Sequence, residues 1–236
     1  MTTLSQVCCS IVDGVHNTVD DDPNGHNYLL SCKNIKNGKL IIGSSERKID
    51  DETYAKLRKR TKLSKGDILL TSVGTIGETY LLMNEPDGIE FQRSVAIIKP
   101  NLNLVSSEYV YLAINLCKDR IINAAHGAVQ QCLFLNDLCS VKIPVVDNNI
   151  ISQLTKTITP FFEIIYKNNQ LSNELESIRN YLLPKLMSGE IDVSTLKMPT
   201  KYSFGRLLGY VLLMGVLHIL LIYHGIVERC IDPYVP

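Results

Sequence analysis

The chain has no tryptophan, few aromatic residues (7%) and no net charge, its 24 Lys and Arg balanced by 24 Asp and Glu. Bulk charge therefore argues neither for nor against a nucleic-acid partner. The usual marks of a catalyst are also missing. There is no H-E-x-x-H helix to seat zinc, no G-x-x-x-x-G-K-[ST] loop to cradle phosphates, and no nucleophile elbow with Ser, His and Asp in order. No methyltransferase or nuclease motif is visible. Gly74-Thr75-Ile76-Gly77 is too short for a phosphate loop and lacks its lysine, so its glycines serve a tight turn or bulge. The seven cysteines (8, 9, 32, 117, 132, 139 and 230) form no C-x-x-C, and no His pair has zinc-ligand spacing. They read as small buried hydrophobes in a reducing cytosol. His16 and His126 stand alone beside Gly14 and Gly127, a setting more often of hydrogen-bonding histidines than of catalysts. A basic stretch followed by an apolar run is absent from the N-terminus, so no signal peptide is expected.

What is present is a core and a local charge. The 236 residues are 45% hydrophobic, enough for one packed domain plus extra elements. Residues 1–30 carry Asp13, Asp20, Asp21 and Asp22 and no Lys or Arg, whereas residues 31–65 hold eleven Lys or Arg against four Asp or Glu. Such a stretch contacts phosphates even on a neutral protein, although a solvated surface loop has the same composition.

Turn formers punctuate an irregular first thirty residues. Residues 28–35 and 40–42 read as strands around the hairpin signal Asn37-Gly38. A short helix or loop is expected over 50–63, strands over 68–72, 78–83 and 92–99, and a helix from Tyr109 capped by Ser106 or Ser107. Residues 130–134 and 141–145 read as further short strands. A long helix follows from about residue 150 to 183, with Leu154, Ile158, Phe161, Ile165, Leu171, Leu175, Ile178 and Leu182 at three- and four-residue steps. This is a coiled-coil seam. Asn168 falls where the spacing slips. It either fixes register and partner number from within the seam or turns to solvent. Pro184 is expected to break or kink the helix.

Several segments together resemble the DNA specificity subunit of type I restriction-modification systems. Ile11-Val12-Asp13-Gly14-Val15-His16-Asn17-Thr18 is similar to that family's opening D-G-x-H segment, and Asn34-Ile35-Lys36-Asn37-Gly38-Lys39-Leu40 to its next hairpin. Lys65-Gly66-Asp67-Ile68-Leu69 with Val73-Gly74-Thr75-Ile76-Gly77 resembles its central strand pair. Gln92-Arg93-Ser94-Val95-Ala96-Ile97, the stretch 126–133 and the exit Leu183-Pro184-Lys185-Leu186-Met187-Ser188-Gly189-Glu190-Ile191 fit as well. The order and spacing of these segments, over about residues 4–194, carry the resemblance.

The resemblance implies an α+β target recognition domain over 1–147, with a small mixed or antiparallel sheet plus helices. A coiled-coil spacer helix and exit would occupy 148–194, and an out-of-family hydrophobic tail 195–236. It implies a non-catalytic subunit that binds double-stranded DNA and needs no cofactor. Modification subunits would methylate adenine with S-adenosylmethionine, and a restriction subunit would use ATP and Mg. Family members carry two recognition domains and two antiparallel spacer helices, and this chain has one of each, so it is either a half-size subunit or a fragment of a longer gene. A lone seam predicts a two-fold homodimer through the helix, reading an inverted two-part site. Some thirty helical residues span roughly 45 Å, enough to separate half-sites by more than one DNA turn of about 34–36 Å. The phosphate candidates are Lys56, Arg58, Lys59, Arg60 and Lys62. The base-reading candidates are His16, Asn17, Arg93, Gln130 and Gln131.

Residues 207–223 are almost wholly apolar, at the short end of the transmembrane range, with Lys201 and Arg206 before them. Three readings stand: sequence appended by a frameshift or fusion, a membrane anchor leaving residues 1–200 cytoplasmic, or a helix buried against a partner. The rival to DNA recognition is a membrane-tethered coiled-coil interaction protein.

Overall fold

A computed structural model describes residues 1–16, 19–43, 45–127 and 131–191. The chain divides into two compact units, Met1–Ser172 and Asn173–Pro236. In chain order the strands are β1 (Thr2–Thr3), β2 (Cys8–Asp13), β3 (Asn27–Leu30), β4 (Ile35–Lys36), β5 (Lys39–Leu40) and β6 (Lys48–Ile49). Helix α1 (Asp51–Thr61) precedes β7 (Ile68–Thr71), β8 (Thr79–Leu81), β9 (Ile89–Phe91) and β10 (Val95–Pro100). Helices α2 (Ser107–Leu116), α3 (Lys118–Asn123) and α4 (Leu135–Ser140) lead to β11 (Lys142–Ile143) and the long α5 (Asn148–Met187). The expected α+β class is what the first unit shows.

The centre of the first unit is the antiparallel sheet β2-β10-β7-β8. Its middle strands are mostly apolar, Ile68-Leu69-Leu70 in β7 and Val95-Ala96-Ile97-Ile98 in β10, because both faces are covered. Ile68, Leu70, Ala96 and Ile98 face one core with Val110, Ile114, Leu138 and Ile151. Leu69, Val95 and Ile97 face the other with Leu30, Leu82 and Phe91. The alternation follows from the two-residue period of a strand. A mixed sheet β6-β3-β9, parallel between β3 and β9, lies beyond the second core. Under it Val15, Val19, Leu29 and Ile49 pack with Tyr54 and Leu57 of α1.

Local chemistry sets the element ends. Asp50 caps α1 by accepting from Thr53 N at 2.8 Å. That bond also holds its carboxyl below the usual range. Asp51 and Glu52 sit in the first turn and Arg58, Lys59 and Arg60 in the last, each sign at the helix end that favours it. Ser106 caps α2 by accepting from Tyr109 N. Asn37 (φ 52°) and Gly38 (φ 70°) form the β4–β5 hairpin turn.

The first part of α5 is anchored within the first unit. Ile151 and Ile158 are buried, and Leu154 and Phe162 pack on the same core. Thr155 bonds Ser106 at 2.9 Å, Asn84 Nδ2 donates to Tyr166 Oη at 2.6 Å, and the Phe162 ring meets Tyr111 edge-on. In the second unit, Leu175, Ile178 and Leu182 of the same helix are exposed.

Several expectations need correction. Pro184 does not break α5. The helix runs to Met187, and its end is shaped by Ser188 N donating to Pro184 O and by Gly189 at φ 75°. Leu154 packs against the core and Ile158 is buried, so neither belongs to an open seam. With Ile164 in place of Ile165, the exposed positions Phe161, Ile164, Asn168, Leu171, Leu175, Ile178 and Leu182 step by three and four without a slip. The first thirty residues are not all irregular, because β2 pairs with β10 through Val12↔Ile97. Residues 130–134 form no strand among the described residues, Cys132 making only isolated bridges, and α4 follows them. The strands expected over 28–35 and 92–99 are β3 with a 3-10 turn after it, and β10 from Val95. Of the described cysteines only Cys117 is buried, and Cys9 is exposed. Among the described residues no helix is long and apolar enough to cross a membrane. The apolar run 207–223 lies outside them.

Candidate nucleic-acid interface

The site grows from the end of β2. Gly14 crosses the β9–β10 connection so closely that a Cβ there would sit 2.3 Å from the carbonyl oxygens of Phe91 and Gln92. Only glycine allows this approach. The crossing is held by Gly14 N to Val95 O (3.0 Å), Val15 N to Phe91 O (2.7 Å) and Arg93 N to Val15 O (2.9 Å). The Asp13-Gly14 pair is therefore the device that places His16 and Arg93 side by side.

They open onto a cleft of about 540 Å³ lined by Asp13, His16, Gln92, Arg93, Ser94 and Phe134, among others. His16 Nε2 lies 3.2 Å from Asp13 Oδ2, and its side chain is half exposed. Burial raises the Asp13 carboxyl, against the opposing pull of His16 and Arg60. The Arg93 side chain is exposed and has no hydrogen-bond or ion-pair partner among the described residues. The hydroxyls here are committed: Ser94 Oγ accepts from Cys32 N (3.1 Å), and Ser72 Oγ donates to Arg93 O (3.3 Å). No described hydroxyl or thiol is bonded to His16. No described group of three or more His, Cys, Asp or Glu is placed to hold a metal ion. Cys8 is pushed up to about 12 by burial, which keeps it a thiol.

Helix α1 joins this cleft at its C-terminal end. Arg60 donates to Asp13 O (3.1 Å) and Gly14 O (3.0 Å). Lys56, Lys59 and Lys62 are exposed on the same helix and its cap. Lys56 meets Glu52 one turn back at 2.7 Å, both in solvent, a pairing that contributes little. The Lys62 carbonyl accepts from Lys99 Nζ (2.8 Å), which also pairs with the buried Asp67 and so pins the helix end.

Arg58 behaves differently from its neighbours. Its Nε donates to Glu90 Oε1 (2.6 Å), Nη1 to Leu63 O (2.7 Å), and Nη2 to Pro86 O (2.6 Å) and Ile89 O (2.8 Å). Thr61 Oγ1 donates to both oxygens of Glu90, whose carboxylate is wholly shielded. Burial raises the Glu90 carboxyl although Arg58 opposes it. Four of the five N–H groups of the Arg58 guanidinium are bonded inside the protein, so this residue holds α1 in place.

Of the sequence-predicted residues, the structure thus brings Arg60, His16 and Arg93 together. Gln131 is exposed beside Cys132 of the cleft. Asn17 and Gln130 lie outside the described residues. Sequence reasoning missed Asp13 and Phe134 as cleft residues and Glu90 as the anchor of α1. The glycine after Asp13 is a signal for the first. Nothing local announces the others, because each depends on contacts from distant strands.

Residues 23–177 match the family model described as the type I restriction modification DNA specificity domain, more than half of the chain. The chain belongs to this family. It is 24% identical over 184 residues to the specificity subunit of the type I restriction enzyme EcoBI from Escherichia coli, a match covering 75% of this chain and 38% of that protein. It shares the fold of the type I restriction-modification S subunit of M. genitalium, with a TM-score of 0.56 at 17% identity over 79% of this chain and 45% of that one. A similar coverage, 80% and 44%, is found with the HsdS subunit of Thermoanaerobacter tengcongensis at a TM-score of 0.45 and 14% identity. The chain therefore spans less than half the length of these specificity-family relatives.

Proposed function

We propose that this chain is a sequence-specific DNA-recognition module of a type I restriction-modification complex. The observation that carries the proposal is the bonding of Arg60 to the Asp13 and Gly14 carbonyls, which makes the basic face of α1 continuous with the cleft of His16 and Arg93. Lys56, Lys59, Arg60 and Lys62 supply contacts to phosphates, which position the protein. His16, Arg93 and Gln131, with Asn17 and Gln130 beside them in the sequence, supply contacts to base edges, which specify the sequence.

The chemistry belongs to partners. Modification subunits methylate adenine with S-adenosylmethionine, a restriction subunit uses ATP and Mg, and this chain requires no cofactor. A second copy, joined through the exposed stripe of α5, supplies the second recognition half. Two copies related by a two-fold axis read an inverted two-part site.

The test is methylated-base mapping in a methylation-free bacterial host expressing this chain with the modification subunit of its own genome. A symmetric two-part motif carrying methyladenine is expected. No new methylation, with the modification subunit active alongside another specificity subunit, would overturn the proposal.

A further inference from the structure

Phe134 is an unusual residue for the place it holds. It is the N-cap of α4, and its carbonyl accepts from Asp137 N (3.1 Å) and Leu138 N (3.0 Å). That position favours Ser, Thr, Asp or Asn, whose side chains bond the free N–H groups of the first turn, and Phe134 offers no such bond. Leu133 and Leu138 around it are buried, yet Phe134 is 56% exposed.

A single exposed apolar side chain is ordinary. This one is set apart by where it is and how it is held. It lines the cleft together with His16, Gln92 and Arg93. Its ring is braced by the His126 imidazole, 5.9 Å away and tilted by 30°. His126 is in turn oriented by Asp137 of the first turn of α4, with Nε2 3.3 Å from Oδ2. The result is an apolar surface among side chains that donate and accept hydrogen bonds.

The DNA major groove presents the matching chemistry. Purine edges offer acceptors that Arg and Gln address, and thymine alone presents a methyl group, which apolar side chains, Phe among them, recognise. We infer that Phe134 determines specificity at one base pair by packing its ring on a thymine 5-methyl group of DNA held at this cleft. This rests on the DNA-recognition reading above. Phe134 makes the site prefer thymine over cytosine without a hydrogen bond, and Arg93 and His16 read neighbouring positions.

The experiment uses the full chain in complex with its modification subunits and duplexes carrying the mapped site, each thymine replaced in turn by deoxyuridine, which lacks only the methyl. At one position the wild-type complex loses about fourfold in affinity, the effect of burying a single methyl. Phe134→Ala binds the thymine duplex less tightly by a similar factor and loses nothing further with deoxyuridine there. Phe134→Leu, still apolar, keeps part of the deoxyuridine penalty. The inference is overturned by a penalty of equal size in wild type and Phe134→Ala. It is equally overturned if no thymine shows a penalty, if the site contains no thymine, or if Phe134→Ala binds as wild type does. Failure of the underlying reading looks different: the wild-type complex then shows no preference for any duplex before a variant is made.

Discussion

Arg58 and Glu90 pair beneath α1, with Nε and Oε1 2.6 Å apart and the carboxylate entirely out of solvent. Arg58 also ties Leu63, Pro86 and Ile89 carbonyls to the helix. An orderly basic face on α1 depends on this one inward-pointing arginine. Arg58→Ala leaves a buried carboxylate unpaired, and a loss of about 3 kcal/mol at pH 7 is expected in urea unfolding. The sign of its pH dependence follows from the raised carboxyl of Glu90. A raised acid contributes stability that is complete below its unfolded value, about 4.3 for Glu, and is lost as pH rises through the folded one. Removing Arg58 raises it further. The penalty of Arg58→Ala therefore shrinks as pH falls toward 4.3, and a penalty constant from pH 7 to pH 4.5 would contradict this account.

The exposed lysines of α1 act on phosphates without regard to sequence. Replacing Lys56, Lys59 and Lys62 together with Gln should weaken binding to specific and nonspecific duplexes alike. The slope of log affinity against log salt should become shallower by about 2.7, close to 0.9 for each phosphate no longer neutralised. An unchanged slope in a fluorescence titration over salt would remove these residues from the interface.

Gly14 has no room for a side chain, since a Cβ would stand 2.3 Å from two backbone carbonyl oxygens. Gly14→Ala must push β2 off the β9–β10 connection. A stability loss of at least about 2 kcal/mol is expected, with loss of sequence-specific binding as His16 and Arg93 separate. A variant that melts like wild type would show that the crossing is slack.

The stripe Phe161, Ile164, Leu171, Leu175, Ile178 and Leu182 is 36–56% exposed, and Asn168 lies in line with it. With a second copy covering it, the full chain sediments as a dimer at micromolar concentration. Leu175→Glu combined with Ile178→Glu should yield monomers that keep the helical circular dichroism of the first unit. Asn168→Leu should tighten association while admitting other registers or partner numbers, because a polar seam residue exchanges stability for specificity. Sedimentation velocity reads all three, and a wild-type monomer would refute the pairing.

Elements governed by near neighbours in the chain are legible in the sequence. Asn37-Gly38 marks its hairpin and Ser106 caps α2, while the apolar run of β10 and the three-and-four spacing of α5 announce themselves by period. Each is a matter of backbone preference or side-chain repeat over a few residues. The edge strand β2 is hidden because Cys8-Cys9-Ser10 alternates weakly and becomes a strand only by pairing with β10. Helix α4 is a single short turn-and-a-half with no polar cap to announce it.

The order and spacing of the D-G-x-H segment, the Asn37-Gly38 hairpin, the strand pair around Gly74 and the exit at the end of the spacer were enough for the sequence alone to determine the family and the α+β class. Tertiary structure decided which charges are free to act. Arg58 and Arg60 are two residues apart and alike in composition, yet a helix turns them in different directions. One meets Glu90 in the interior, and the other meets the Asp13 and Gly14 carbonyls at the mouth of the cleft. That difference is made by strands distant in the chain, because the desolvation of a charge depends on what the fold packs around it and not on its sequence neighbours.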